Sequence, residues 1–95
     1  MPDAESGAEI ARLVVEEGLA ACCSIVPSIR SIYRWKGKVC DEPESLCIFK
    51  TRGALFERLK DRIRELHKYE LPEIVAVGID SGLADYLKWI DSSTV

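Results

Sequence analysis

Three features of this chain predict an α+β sandwich, with helices on one face of an antiparallel sheet. From Leu19 to Trp35 the sequence is rich in β-branched and aromatic residues; Lys36-Gly37-Lys38 then interrupts it, and a second apolar run follows at Leu46-Cys47-Ile48-Phe49. Two such runs about a glycine-bearing turn read as a hairpin. Leu55, Phe56, Leu59, Ile63 and Leu66 recur at helical spacing, with Arg58, Lys60, Asp61, Arg62, Arg64 and Glu65 on the other side, the pattern of an amphipathic helix. Finally, 95 residues with 47% hydrophobic and 31% charged side chains suit one domain, residues 1–95, that buries roughly 60–70% of its unfolded surface.

The elements follow in order. Pro2-Asp3 starts a first helix, with Asp3 as its cap, Glu5 in the first turn, an apolar face at Ile10, Ala11, Leu13 and Val14, and Gly18 as its stop. Pro27-Ser28 marks a bend or bulge in the long strand. Beyond it Ile29, Tyr33 and Trp35 share one face, since alternate strand residues do. The return strand is expected from about Ser45 to Thr51, with Asp41-Glu42-Pro43-Glu44 as its irregular approach. After the amphipathic helix, Pro72 to Ile79 reads as another strand. Leu83, Tyr86, Leu87 and Ile90 form a short last helix begun by Asp80-Ser81-Gly82. The order α-β-β-α-β-α, with one strand placed in front, is the split βαβ pattern of a ferredoxin-like sandwich.

Composition narrows the function. Thirteen basic and sixteen acidic residues give a net charge of −3, which argues against nucleic acid as a partner. No apolar run approaches the ~20 residues of a membrane span, and Met1-Pro2-Asp3-Ala4-Glu5 is no signal peptide, so no membrane association and a cytoplasmic location are expected. The cysteines at 22, 23, 40 and 47 show neither metal-motif spacing nor a disulfide framework; reduced, mostly buried thiols are the expectation, with Cys40 the most reactive by its place near the turn. The six glycines are isolated, so no phosphate loop is present. No Ser or Cys nucleophile stands beside a base.

Several residues exceed what a core needs. Tyr33 and Trp35 can stack a planar ligand or a cation, or seat a subunit interface. Lys50 and Glu73 read as a charged pair, either in a cleft or as an ordinary ion pair between strands. Tyr86 and Trp89, three apart on the last helix, pack on the sheet or on a neighbour. His67 can bind a metal ion or satisfy the last carbonyls of its helix, and Cys22 can offer a soft thiolate or remain a buried thiol.

Leu19-Ala20-Ala21-Cys22, Ile25-Val26-Pro27, Ser31-Ile32-Tyr33-Arg34-Trp35-Lys36-Gly37, Lys50-Thr51, Pro72-Glu73-Ile74 and Tyr86-Leu87-Lys88-Trp89-Ile90 together resemble the CutA divalent-cation-tolerance family. The likeness runs in order from Pro2 to the C-terminus. It implies a ferredoxin-like subunit in a tight homotrimer, with hairpin strands pairing between subunits and clefts where subunits meet. It also implies a link to tolerance of copper or another divalent cation, an architecture shared with PII signalling proteins, and no enzymatic activity.

Two departures stand out. Family members open on a β-strand inside the sheet, whereas Met1 here adjoins the helix start; the chain reads as truncated at its N-terminus relative to the family, through a misplaced start, unless another segment fills the gap. Loss of a central strand would cost more than a domain's ~5–15 kcal/mol of stability. In addition, His67-Lys68-Tyr69 stands where the family has His-Pro-Tyr, and Lys68 restores an amide that proline lacks. Copper in some members is attributed to a first-strand cysteine and adjacent histidines; His67 alone matches here. Three functions follow from these readings, in this order: a trimeric metal- or ligand-binding or signalling protein; an assembly module docking a partner protein; and an enzyme using Lys50, Glu73 and His67.

Overall fold

The computed structural model describes residues 1–67 and 70–95; Lys68 and Tyr69, part of the second departure above, lie outside the described residues. Helix α1 spans Ala4–Glu16. The Asp3 carboxylate accepts the Ser6 amide at 2.8 Å, satisfying one of the donors a helix start leaves open. At the other end Gly18 takes φ 74°. The Leu19 and Gly18 amides then bond back to Val14 and Val15 oxygens, each at 3.0 Å, the double bond of a Schellman stop. Ile10, Ala11 and Val14 are buried, as the periodicity predicts.

Strands β1 (Cys22–Trp35) and β2 (Lys38–Lys50) pair antiparallel. Lys36 and Gly37 between them both have positive φ, 51° and 79°, as a two-residue hairpin turn with the twist of its strands requires. Pairing runs from Trp35↔Lys38 to Ile29↔Glu44, slips by one residue at Pro27 and Ser28, and resumes from Val26↔Leu46 to Cys22↔Lys50. The predicted bulge is therefore present.

Two expectations change. The return strand begins at Lys38, so Asp41, Glu42, Pro43 and Glu44 are regular strand. Arg30 grips Asp41 through two hydrogen bonds of 2.8 and 2.6 Å across the ladder. Pro43 lies opposite Arg30; counting alternate pairs from the turn, its missing N–H faces away from β1 and removes no ladder bond. The segment 72–79 has no ladder partner among the described residues. Ile74 packs against the core, while Val75 and Val77 are 76% and 92% exposed. A strand needs a neighbouring edge. The outer edge of β2 is met at Ser45 by Met1, the two exchanging backbone bonds of 3.2 and 3.0 Å like an antiparallel pair.

A short 3-10 turn, Gly53–Leu55, leads into α2 (Phe56–Leu66), and α3 covers Ala84–Ser92. Ile10 and Val14 of α1, Leu19, Ala20, and Leu59 and Ile63 of α2 form the core, with Met1, Phe49, Leu66 and Ile74 around it. The end of the chain is tied down: the Val95 amide reaches the Gly18 oxygen at 2.9 Å, and Arg52 Nε donates to Thr94 Oγ1 at 2.9 Å. No helix among the described residues is long and apolar enough to cross a membrane.

Candidate functional site

The pleat sorts the hairpin's inner half into two faces. Ser45, Cys47 and Phe49 share the face that carries α1, so Cys22, Ser24, Val26, Leu46, Ile48 and Lys50 share the open one. At the base of this open face α3 brings the Tyr86 hydroxyl within 3.9 Å of Cys22 Sγ. Tyr86 and Trp89 stack obliquely, with centroids 5.5 Å apart. The Tyr86 phenol is pushed above its ordinary pKa, first by the bond with Cys22 and then by burial. Lys50 Nζ donates to Ser24 Oγ at 2.5 Å. An ammonium, a thiol and two aromatic rings thus surround an apolar surface on which Val26, Leu46 and Ile48 remain exposed. That chemistry suits an anionic or planar ligand, or a neighbouring subunit.

Tyr33 and Trp35 lie at the other end. The Tyr33 hydroxyl donates to Glu42 Oε2 at 3.2 Å; burial, then the Glu42 charge, raise its pKa. The Lys36 ammonium stands 5.6 Å from the Trp35 ring centroid and 3.6 Å from the Glu70 carboxylate. Trp35 pairs with Lys38 and Cys22 with Lys50, so tip and base are about 40 Å apart along the strand. The six candidate ligand-binding residues do not meet within one subunit.

His67 occupies a third place. It caps α2, its backbone amide bonding the Ile63 oxygen at 2.7 Å. Burial first, and then the Met1 amine, lower its pKa, while Glu44 acts in the opposite direction. Glu44, whose charge reaches His67, lies six residues and about 20 Å along β2 from Lys50, the ladder partner of Cys22. One ion cannot bind both His67 and Cys22 in a single subunit. No group of three His, Cys, Asp or Glu side chains among the described residues is placed to hold a metal ion. Glu73 is exposed and forms no ion pair with Lys50 among the described residues. Among the described residues the enzyme reading's Lys50 is thus bonded to Ser24 and not paired with Glu73. Sequence reasoning did not single out Ser24, and it read Glu42 as part of an acidic bend and Cys23 and Cys47 as buried thiols; counting register from the Lys36-Gly37 turn through the Pro27-Ser28 bulge is the signal that places them.

A model of the family described as CutA1 divalent ion tolerance protein matches residues 1–93. The chain belongs to that family. The divalent-cation tolerance protein CutA of Thermus thermophilus is 46% identical over 94 residues, covering 99% of this chain and 91% of the relative. Its solved structure superposes with a TM-score of 0.96 at 45% identity, over 100% of this chain and 92% of that one. The PII-like protein CutA of Nostoc gives 0.91 at 43% identity, over 99% and 91%. Chloroplastic protein CutA of Arabidopsis thaliana is 44% identical over 94 residues, which are 99% of this chain and 52% of the relative. The chain thus spans about half the length of the plant relative and most of the bacterial ones. Membership of the CutA1 family and the ferredoxin-like fold, both expected from the ordered motifs, are shown by these matches.

Proposed function

We propose that this chain is a non-enzymatic binding protein, a homotrimer that takes a divalent metal ion such as copper, or a small ligand, in clefts between subunits. It would act in the cytoplasm, where its four free cysteines stay reduced. The observation that carries the reading is the separation of its binding residues. Tyr33 and Trp35 at the hairpin tip lie about 40 Å from Lys50, Tyr86 and Trp89 at the base, so a cleft using both needs the tip of one subunit at the base of the next. The apolar open face, with Val26, Leu46 and Ile48 exposed, supports such an assembly, and Glu73, Cys22 and His67 would add polar and metal-binding groups across the boundary. The family name and the likeness to a PII-like protein agree with binding rather than turnover.

The test combines mass and complementation. Sedimentation equilibrium is expected to give three subunits. Titration calorimetry with Cu(II) and Zn(II) is expected to show heat that Trp35→Ala and Tyr86→Ala each remove. Trimers refolded from a mixture of the two variants should recover part of it, because some clefts then combine an intact tip with an intact base. A monomer in solution, no heat in the parent protein, or no recovery in mixed trimers would overturn the intersubunit cleft.

A further inference from the structure

We propose that the base of the open face is a site for a small aromatic monocarboxylate, with the Lys50 ammonium at its charge and the Tyr86 and Trp89 rings along its plane. This rests on the binding reading above and names the ligand class for that same face. Lys50 stands opposite Cys22 on the hairpin ladder, and Ser24 opposite Ile48. The bond from Lys50 Nζ to Ser24 Oγ, 2.5 Å, therefore turns the lysine inward across the sheet. Cys22 is the neighbour of Ser24 on this face, and its Sγ is the atom that the Tyr86 hydroxyl approaches to 3.9 Å. Ammonium and phenol are thus both anchored on the first turn of one strand face.

The site holds a cation with donors to spare. An ammonium has three N–H groups, and the bond to Ser24 uses one. Among the described residues no carboxylate pairs with Lys50. Its companions on the strand face, Cys22, Ser24, Val26, Leu46 and Ile48, carry no carboxylate either. Lys50 is half-buried, where a charge is screened less than in open solvent. Either atom can donate in the contact between Cys22 and Tyr86; when the thiol does, the phenol O–H is open to an acceptor. Tyr86 and Trp89, 43% and 42% exposed, meet at 34° between ring planes, so both keep ring surface for a third ring.

The same features select the class of ligand. One ammonium matches one carboxylate. A nucleotide brings several charges and is held by clustered cations or a glycine-rich loop, whereas the six glycines here are isolated and Lys50 is the one cation of the strand face. A free amino acid brings an ammonium of its own, for which that face offers no carboxylate. An aliphatic acid would leave the two rings unused, since offset stacking needs a flat partner. The exposed Val26, Leu46 and Ile48 supply an apolar floor beside the rings. A divalent cation is repelled by Lys50, so of the two ligands proposed above the small molecule belongs at this end of the cleft.

The experiment is titration of the whole chain, freed of metal by a chelator, with benzoate, benzamide and cyclohexanecarboxylate. It is read by NMR, through saturation transfer to the small molecule and the shifts of the two tryptophan indole N–H signals. Benzoate is expected to bind with a Kd on the order of 1 mM, in keeping with its few heavy atoms, and to move the Trp89 signal. Benzamide, which lacks the charge, and cyclohexanecarboxylate, which lacks the flat ring, should each bind about tenfold more weakly. Lys50→Met should bring benzoate down to the level of benzamide, and Trp89→Leu down to that of cyclohexanecarboxylate. Equal binding of benzoate and benzamide by the parent protein, or displacement of benzoate by equimolar inorganic phosphate, would overturn the ligand class. A moving Trp35 signal with Trp89 unmoved would overturn the place. Both readouts use the parent protein, so they decide the matter even if a variant fails to fold. Benzoate bound at Trp89 in a protein that sediments as a monomer would keep this site and overturn the intersubunit cleft; a trimer with metal heat and no benzoate response would do the reverse.

Discussion

His67 shows how one side chain reports its surroundings. It ends α2, lies partly buried, and feels the charges of the Met1 amine and of Glu44. Burial and the amine outweigh the carboxylate, so the folded protein holds its pKa below the ordinary 6.5. The unfolded chain then binds the proton more readily than the folded one. Stability from this group is fully present above about pH 6.5 and falls as pH drops from there toward the lowered folded value. Urea midpoints measured between about pH 5 and pH 8 should decline on the acid side in the parent protein, and less steeply in His67→Gln. Both proteins should be flat with respect to this group above about pH 7. Identical acid slopes would mean that His67 is as easily protonated folded as unfolded, and that the Met1 amine does not govern it.

At the scale of an element, the hairpin turn sets a local conflict that can be measured. Lys36 holds φ 51°, a conformation in which an ordinary L residue loses about 1–2 kcal/mol and asparagine loses less. In return Lys36 has an ion pair with Glu70 between side chains 68% and 72% exposed, a class of contact worth about 0–1 kcal/mol, and a ring contact with Trp35 of similar size. The backbone gain and the lost contacts are close, and salt separates them. Lys36→Asn should be near neutral in dilute buffer and stabilising by up to about 1 kcal/mol in 1 M salt, where the exposed pair is screened. Destabilisation that persists in high salt would show that the Trp35 contact outweighs the turn. The turn itself was legible, because Gly37 between two β-rich runs leaves few other readings. So were α1 and α2, where Asp3, Gly18 and the Leu59–Ile63–Leu66 spacing act locally. Asp41 to Glu44 misled because proline and three acids signal a loop, whereas the register counted from the Lys36-Gly37 turn puts Pro43 where no ladder amide is needed and Arg30 where it can grip Asp41. The candidate site was legible as residue types and not as a place: whether Lys50 meets Ser24 or Glu73, and whether Cys47 meets Cys23, depends on a one-residue register slip and on how α3 returns over the sheet.

The whole molecule carries two backbone edges that ask for a neighbour. Beyond Ser45, the alternation set by the Met1–Ser45 exchange turns the amides of Cys47 and Phe49 away from β1. Residues 72–79 have no ladder partner among the described residues, with Val75 and Val77 largely in solvent. The antiparallel direction at Met1 means that residues joined ahead of it would run alongside Cys47 and Phe49. Six alternating apolar residues placed there would bury three side chains at about 1.5–3 kcal/mol each and add ladder bonds at about 0.5–1.5 each. Fixing six residues costs about 1–2 kcal/mol apiece, so pairing on one side alone barely breaks even. Net stabilisation requires residues 72–79 to pair on the strand's other side and withdraw Val75 and Val77 from water. The extended protein is therefore expected to melt several degrees higher, at about 4–8 °C per kcal/mol for a domain of this size, and to slow amide exchange at Cys47, Phe49, Val75 and Val77 together. Protection confined to the β2 edge, with 72–79 exchanging as before, would sink the idea that one strand serves both edges. It would leave the exposed valines to the subunit contacts proposed above, where slower exchange at 72–79 should instead rise and fall with trimer concentration.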